Sequence, residues 1–428
     1  MGAKFSGGIA LPHQAEHKEE TANLPVQTLA PPQVVIPMAQ GLARPALPVV
    51  EPGQTVKKGE LIGRSDGKMS VPVHASVSGT VTAVEPRPCV EGEGMCVVVE
   101  NDGCDTPAPG LKYLPGEQGL RALMREAGLI GMGGAGFPTA VKYETDKAIH
   151  WVLVNGCECE PYLTCDHQLM VRHADRVVAG AVALGQAAGA AVKICVESNK
   201  PDAVKKLREA ALPFGVEILE LPNRYPQGGE RQLIQAAVGR EVPEGGLPAD
   251  VGAIVNNVAT AAALSDAMAG FPLTHRLVTV AGQVAHPGNV YAPVGTLLSD
   301  LLAFCGGAGG EGLTAIFGGP MTGRVLDRLD VPMTKSTSGL MLLGRSGWTE
   351  QPCIRCGGCA RVCPSRLQPF AIDAAVIAGR RDVCEALHAA QCISCGCCSY
   401  TCPAKRPLAA RVGMAREGIR ARARAAKR

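Results

Sequence analysis

The chain has 428 residues, of which 46% are hydrophobic and 19% are charged, and its formal net charge is +3. This composition is typical of a globular protein with several cores and excludes a disordered or fibrous chain. Eighteen cysteines fall into two C-terminal blocks and scattered single positions, which argues against a secreted disulfide framework and favours a reducing compartment with thiolates kept for metal. We expect neither a secretory signal nor a bilayer-spanning segment, because no long apolar run is present.

Residues 1–44 carry few periodic apolar positions, and we expect them to form an extended arm along a later domain. Residues 45–105 contain short runs of β-forming residues separated by glycines, a pattern that predicts a small β-sandwich. This region is similar to the barrel-sandwich hybrid fold of lipoyl and biotinyl domains. Lys68 lies in a turn where those domains carry a modified lysine, but their attachment motifs are absent, so we interpret it as an exposed turn residue.

Residues 115–270 alternate between helix-like and strand-like patterns. Helices are predicted at Glu117–Gly128 and Ala174–Gly189, and buried strands at Trp151–Val154 and Ala191–Val196. This alternation predicts a parallel sheet with helical crossovers. Residues 271–345 then combine two strand patterns with a short helix, which indicates a compact β-grasp-like unit.

Two cysteine runs of identical spacing follow. Each has the form Cys-x-x-Cys-x-x-Cys-x-x-x-Cys-Pro, beginning at Cys353 and at Cys392. In this bacterial ferredoxin pattern three thiolates of one loop hold a [4Fe–4S] cluster, and the fourth cysteine reaches the other cluster. Structural zinc is the alternative, although zinc sites use separated cysteine pairs. We therefore predict a two-cluster, ferredoxin-like helical domain at residues 346–410, with Cys353, Cys356, Cys359 and Cys402 on one cluster and Cys363, Cys392, Cys395 and Cys398 on the other.

A glycine-rich loop precedes the first predicted strand of the α/β region. Four glycines lie between Gly131 and Gly136, and Lys142 follows. Without Cβ atoms, backbone amides can approach phosphates or lie flat against a ring system. Glu158 and Glu160 follow the strand at its carboxyl end, where α/β sheets bind ligands. The combination predicts a ligand site, whereas a glycine-rich turn alone would be only a turn.

The motifs resemble a known family. The glycine loop with Lys142, the stretch from Asn155 to Glu160, the Gly-Gly-Glu at 228–230 and the Asn-Asn at 256–257 look like the flavin- and NADH-binding subunit of respiratory complex I. The resemblance to the RnfC family, a component of Rnf ion-translocating complexes, extends from end to end. It includes Phe-Ser-Gly-Gly-Ile at 5–9, Tyr-Pro-Gln-Gly-Gly-Glu at 225–230 and the doubled cluster motif.

That resemblance implies a multidomain α/β fold: a barrel-sandwich hybrid, a Rossmann-like flavin domain, an SLBB-like β-grasp domain and the two-cluster domain. It implies non-covalent FMN, with NADH as substrate. The residues that it assigns to these ligands are Gly131, Gly133, Gly134, Gly136, Lys142, Asn155, Glu158, Glu160, Glu230, Asn256, Asn257 and Thr260. Two positions depart from the complex I pattern, because Met132 replaces an arginine and Cys157 replaces an aspartate.

The implied function is that of an NADH-linked oxidoreductase subunit, which would pass electrons through FMN and two clusters to ferredoxin or to membrane subunits. We expect it at the cytoplasmic face of a bacterial inner membrane, in peripheral contact with the membrane, with a ferredoxin or flavodoxin-type carrier as a further partner. Two alternatives remain: a soluble flavin and iron–sulfur cobalamin reductase, and a non-catalytic iron–sulfur carrier subunit.

The last 18 residues, 411–428, form a basic tail. It is either a solvated helix or a segment that docks on an anionic membrane or an acidic partner. Nucleic acid is not expected as a partner, because no aromatic residues are interleaved with the cations for base stacking.

Overall fold

The computed structural model describes residues 4–344 and 347–425. An N-terminal arm contains α1 (His13–Glu16) and β1 (Gln27–Thr28). Phe5 and Ile9 of the arm are buried. The Lys18 ammonium donates hydrogen bonds to the carbonyls of Glu158, Glu160 and Leu163 at 2.8, 2.9 and 2.6 Å. The arm therefore fixes the loop at residues 158–163 of a later domain.

The first domain is a two-sheet β-sandwich. Its strands are β2 (Gln33–Pro37), β3 (Leu47–Pro48), β4 (Thr55–Val56), β5 (Leu61–Arg64), β6 (Val73–His74), β7 (Gly79–Cys89) and β8 (Gly92–Asn101). The sheet orders are β2-β8-β7-β4 and β3-β5-β6. Strand β2 pairs antiparallel with β8, and its Val34 and Ile36 are fully buried. Residues 33–37 thus belong to the sandwich and not to the extended arm, which the sequence predicted through residue 44.

The second domain is an α/β unit around a parallel sheet. Its elements are α2 (Glu117–Glu126), α3 (Thr139–Lys142), β9 (Trp151–Gly156), α4 (Cys165–Arg172), α5 (Ala174–Ala188), β10 (Ala191–Glu197), α6 (Pro201–Ala211), β11 (Glu217–Leu221), α7 (Glu230–Val238), β12 (Ala253–Asn257) and α8 (Val258–Met268). The strand order β11-β10-β9-β12 is parallel throughout. The predicted helices and strands are confirmed with small changes at their ends. Because the chain moves to opposite sides of β9, the carboxyl ends of β9 and β12 flank a topological switch point.

The third domain carries a six-stranded mixed sheet. Its elements are β13 (His275–Gly282), β14 (Gly288–Pro293), α9 (Leu298–Phe304), β15 (Leu313–Phe317), β16 (Arg324–Leu326) and β17 (Gly339–Gly344). The sheet order is β1-β14-β13-β17-β15-β16, so the arm contributes its edge strand.

The C-terminal domain is helical. Its helices are α10 (Gly358–Arg361), α11 (Pro369–Ile377), α12 (Arg381–Ala386), α13 (Cys397–Tyr400) and α14 (Leu408–Ala425). Helix α14 begins before residue 411, and its Val412 is buried against the domain. The Arg411 guanidinium forms ion pairs with Glu350 and Asp373 at 2.7 and 2.9 Å. The expected tail therefore begins as part of the domain, because these contacts hold its first turns.

Within the described ranges, no helix is both long enough and apolar enough to cross a membrane.

Candidate functional site

The glycine loop is tied at its base and open at its tip. The Gly131 amide donates to the Phe137 carbonyl at 2.8 Å, and the Thr139 amide donates to Leu129 at 2.9 Å. The Thr260 hydroxyl, on α8, accepts from the Met132 amide at 3.2 Å and donates to the Ile130 carbonyl at 3.1 Å. Thr260 thus fixes the loop against the start of α8.

The tip of the loop has the properties of a ligand cradle. A Cβ on Gly133 would lie 2.8 Å from the Asn257 side-chain nitrogen, whereas a Cβ on Gly134 would meet nothing within 4 Å. Gly136 has a φ of 73°, which favours glycine. Among the described residues, no hydrogen bond uses the amides of Gly133, Gly134 or Gly136. Gly133 and Gly134 are exposed and offer free backbone donors at the tip, whereas Gly136 is buried against Gly41.

Two asparagines lie opposite each other at the switch point. Asn155 of β9 pairs in register with Asn257 of β12. The Asn257 side chain donates to the Asp166 carboxylate at 2.6 Å and accepts from the Ala259 amide at 2.7 Å, so it caps α8. These contacts place the strand ends directly beneath the glycine loop.

Asn256 faces the other side of β12. Its amide nitrogen donates to the Tyr143 hydroxyl at 2.7 Å. Its carbonyl oxygen is buried and has no hydrogen-bond partner among the described residues. A buried acceptor without a donor is costly, so this atom is suited to a donor from a ligand.

Lys142 and Glu230 close the edge of the site. The Lys142 ammonium donates to the Val255 carbonyl at 2.8 Å and lies 3.9 Å from a Glu230 carboxylate oxygen. Burial lowers the pKa of Lys142, and Glu230 acts in the opposite direction. Glu230 is the first residue of α7 and is half-exposed.

Glu158 caps a helix and does not face open space. Its carboxylate accepts hydrogen bonds from the amides of Asp166 and His167 at 2.6 and 3.1 Å, at the start of α4. Burial raises the pKa of Glu158 to about 7, and the Lys18 ammonium opposes that increase. Glu158 is therefore connected to the glycine loop through Asp166 and Asn257.

Glu160 joins three domains. Its carboxylate accepts from the amides of Met321 and Thr322, in the third domain, at 2.6 and 2.8 Å. Another of its oxygens lies 3.3 Å from the Tyr225 hydroxyl, which donates to the Cys395 carbonyl at 2.8 Å. Burial raises the pKa of Glu160. The structure thus places Glu160 beside the cysteine loop, where it supports Tyr225.

The eight motif cysteines border two separate cavities. One is lined by Cys353, Cys356, Cys359 and Cys402, and the other by Cys363, Cys392, Cys395 and Cys398; each spans about 350 Å³, part of which is open to solvent. These are the two sets that the spacing predicted for crossed ligation. Cys397 also borders the second cavity, and Cys384 is buried elsewhere in the domain.

The cavities fit metal–sulfur clusters in two further respects. All eight motif cysteines are free thiols. Backbone amides lie against their sulfurs: Arg355 on Cys353 at 3.4 Å, Ser394 on Cys392 at 3.3 Å and Leu367 on Cys363 at 3.4 Å. Amide donors of this kind stabilise cluster thiolates and influence their reduction potential.

Several residues at these sites were not identified from the sequence. Asp166, Tyr143 and Tyr225 make the contacts described above, and only Tyr225 lay inside a recognised motif. Arg276 of the third domain is buried beneath the loop and contacts the Met132 sulfur at 2.7 Å and the Thr337 carbonyl at 3.2 Å. Burial lowers the pKa of Arg276. No local pattern marks such residues, because they reach the site from distant segments.

Family models match three of the domains. Residues 3–104 match the RnfC barrel sandwich hybrid domain, residues 124–266 match the Nuo51 FMN-binding domain, and residues 277–325 match the SLBB domain. Among solved structures, a chain of an NAD+-reducing [NiFe]-hydrogenase in the H2-reduced state shares the fold. Its TM-score is 0.51 at 22% identity, over 66% of this chain and 59% of that one.

Relatives align along most of the chain. The C component of the proton-translocating ferredoxin:NAD(+) oxidoreductase complex of Clostridium ljungdahlii is 40% identical over 90% of this chain and 86% of its own. The Na(+)-translocating counterpart from Acetobacterium woodii is 42% identical over 97% of both chains. The C component of the ion-translocating oxidoreductase complex of Pseudomonas aeruginosa is 42% identical over 85% of this chain and 49% of its own. The chain belongs to the RnfC family of ion-translocating oxidoreductase complexes.

Proposed function

We propose that this chain is the peripheral NADH-linked subunit of an ion-translocating membrane complex. It passes electrons between NADH and ferredoxin or membrane subunits, through FMN and two [4Fe–4S] clusters. The names of the Clostridium ljungdahlii and Acetobacterium woodii relatives, both ferredoxin:NAD(+) oxidoreductase subunits, support this assignment. The proposed location is the cytoplasmic face of a bacterial inner membrane.

The α/β domain supplies the flavin site in this proposal. The free amides of the glycine loop and the Lys142 ammonium would hold phosphate, and the strand-end residues Asn155, Asn256 and Asn257 would contact the rest of the flavin. Thr260 positions the loop, and Glu230 closes its edge. Bound there, FMN would supply the capacity to take a hydride from NADH and to release the electrons one at a time. The match to an FMN-binding domain over this region supports the assignment.

Glu158 and Glu160 position other residues of the site. Both carboxylates are held by protein amides, so Glu158 orients Asp166 beneath the loop and Glu160 orients Tyr225. Neither needs to touch the cofactor to affect the site.

A continuous series of contacts links the proposed flavin site to a cysteine cavity, and this observation gives the strongest structural support for the proposed function. The Asn155 side chain donates to the Gly228 carbonyl at 2.9 Å. Gly228 lies three residues after Tyr225, whose hydroxyl donates to the Cys395 carbonyl. A single short loop of this chain therefore contacts both the strand end and the second cavity. This arrangement suits electron transfer, and it does not favour a carrier that lacks a flavin site.

Composition of the anaerobically purified protein tests the assignment. We expect about eight irons per chain, the sum of two four-iron clusters, together with one FMN. Lys142→Met should lower flavin content and leave iron unchanged, because Lys142 lies in a different domain from the cysteines. Eight irons without flavin, in the chain and in its complex, would favour the carrier alternative, and zinc in place of iron would refute the cluster assignment.

A further inference from the structure

Two cysteines outside the cluster motifs face each other in the β-sandwich. Cys89 ends strand β7, and Cys96 lies in strand β8, which follows the turn at Val90 and Glu91. Their sulfur atoms are 3.7 Å apart, and both residues are free thiols. A disulfide has a sulfur–sulfur distance of about 2.0 Å. The two sulfurs are therefore within about 2 Å of bonding distance.

The surroundings of the two thiols differ. Cys96 is completely buried and packs with Val35 and Val98. Cys89 is half-buried and lines a solvent-open groove between the sandwich and Arg324 of the third domain. Cys96 is thus held in the strand, whereas Cys89 is the thiol that a small molecule can reach and that has room to move.

The two thiols also differ in acidity. The hydrogen bond between their sulfurs lowers the pKa of Cys89 and raises the pKa of Cys96, which burial raises further. The thiolate is the nucleophile in thiol–disulfide exchange. Cys89 is therefore suited to attack first, and Cys96 is suited to act as the second, resolving thiol.

We propose that Cys89 and Cys96 are a redox-active pair that closes to a disulfide by exchange with a low-molecular-weight disulfide of the glutathione class. Cys89 attacks a sulfur of the incoming disulfide and releases one thiol. Cys96 then loses its proton and attacks the Cys89 sulfur, which releases the second thiol. Two electrons and two protons thus pass from the pair to the incoming disulfide. The step involves neither the flavin nor the clusters, so it is independent of the proposed function.

The pair lies beside a contact between two domains. The Arg324 guanidinium, on β16, donates to the Val90 carbonyl at 3.0 Å and lies 3.8 Å from the Glu91 carboxylate. Val90 also packs against the core of the third domain. Because Cys96 is held in the strand, closing the disulfide moves Cys89 and the turn that follows it. Oxidation of the pair therefore loosens the contact of this turn with Arg324.

The first test equilibrates the full-length protein, purified anaerobically, with mixtures of reduced and oxidised glutathione, and then alkylates the remaining thiols. Glutamyl endopeptidase cleaves after Glu91 and Glu93, between the two cysteines, so the disulfide joins two fragments that mass spectrometry otherwise finds apart. We expect the joined fragments when oxidised glutathione is in excess, and their release by dithiothreitol. Cys104→Ser, which removes an exposed cysteine shortly after β8, is the control and should give the same yield.

Cys96→Ala tests the order of the two steps. Without the resolving thiol, Cys89 should accumulate as a mixed disulfide with glutathione, whereas in the original protein this species should be replaced by the joined fragments. Mass spectrometry of the same fragments measures both. The proposal would be overturned if Cys89 of the original protein ended only as the mixed disulfide or joined to Cys104, or if Cys89 of the variant stayed unmodified.

Hydrogen–deuterium exchange tests the effect on the domain contact. The backbone amides of β16 should exchange about fivefold faster in the oxidised protein, as expected for the loss of one hydrogen bond. Arg324→Ala should show the faster exchange already in the reduced form, with no further change on oxidation. If the disulfide forms and β16 exchanges at its original rate, the proposed loosening of the contact is refuted.

Discussion

At the scale of single residues, Gly133 and Gly134 differ in their surroundings. A Cβ on Gly133 would collide with Asn257, so this glycine is required for the protein's own packing. A Cβ on Gly134 meets only open space, which is where we place the flavin. The sequence predicted both glycines as cofactor residues. It could not show that one is needed for packing and the other for binding, because the packing contact comes from Asn257, more than 100 residues away.

Gly134→Ala should therefore lower flavin affinity about tenfold or more, corresponding to about 1.4 kcal/mol, without changing the thermal midpoint of the flavin-free protein. The measurement is fluorescence titration with FMN. Gly418→Ala, on α14 with nothing near its Cβ, is the control and should bind FMN normally. Unchanged FMN affinity in Gly134→Ala would show that the flavin does not occupy this space.

Tyr225 acts as a positioning residue for the second cysteine loop. Tyr225→Phe removes the hydroxyl that donates to the Cys395 carbonyl, and we expect a loss of about 1 kcal/mol in stability. In a redox titration followed by EPR, the midpoint potential of one cluster should change while the other stays constant. Tyr400→Phe, whose ring is half-exposed, should change neither. Equal changes in both clusters would indicate general loosening of the domain.

At the scale of elements, the cysteine loops followed closely from the sequence. Their spacing predicted two sets of four, and the same sets border the two cavities. The α/β elements were also predicted, because the helical and strand periodicities are clear there. Strand β2 was assigned to the arm, and the turn of α14 at residues 411 and 412 was assigned to a separate tail. Their partners, β8 and the helices of the cluster domain, are not visible in local patterns.

Crossed ligation makes a specific prediction. Cys402→Ser should remove the same cluster signal as Cys353→Ser, although 49 positions separate the two residues, and Cys363→Ser should remove the other signal together with Cys392→Ser. Iron analysis and EPR of the four variants measure this. Cys384→Ser is the control, because Cys384 lies outside both cavities, and it should keep about eight irons. Loss of the same signal in Cys363→Ser and Cys353→Ser would show that each motif holds its own cluster.

At the scale of the whole molecule, buried polar contacts join the domains. The Lys335 ammonium donates to the carbonyls of Pro72, in the sandwich, and Gly128, before the glycine loop, both at 2.9 Å. It is completely buried, and burial lowers its pKa to about 7. The neighbouring titratable group is His74, whose pKa burial and Lys335 both lower. No sequence pattern predicts this junction, since its parts lie in three separate domains.

Lys335 makes stability depend on pH. Its pKa in the folded protein lies below the ordinary value of 10.5, so between about pH 7 and pH 10 the unfolded chain binds more protons and stability rises with pH. Relative to Lys335→Met, the original protein should gain on the order of 2 kcal/mol from pH 7 to pH 9. Thermal midpoints at both pH values measure this, with Lys205→Met as an exposed control. A difference that does not change with pH would show that Lys335 titrates normally.

We propose that NADH reduces a flavin in the α/β domain and that the electrons reach both cysteine cavities. Anaerobic reduction of the purified protein by NADH tests this path, with flavin absorbance and low-temperature EPR recorded on the same rapid-mixing time course. We expect bleaching of the flavin, followed by the signals of two reduced [4Fe–4S] clusters. Clusters that are reduced by dithionite but never by NADH, in a protein that holds its flavin, would show that no electron path joins the flavin to the clusters.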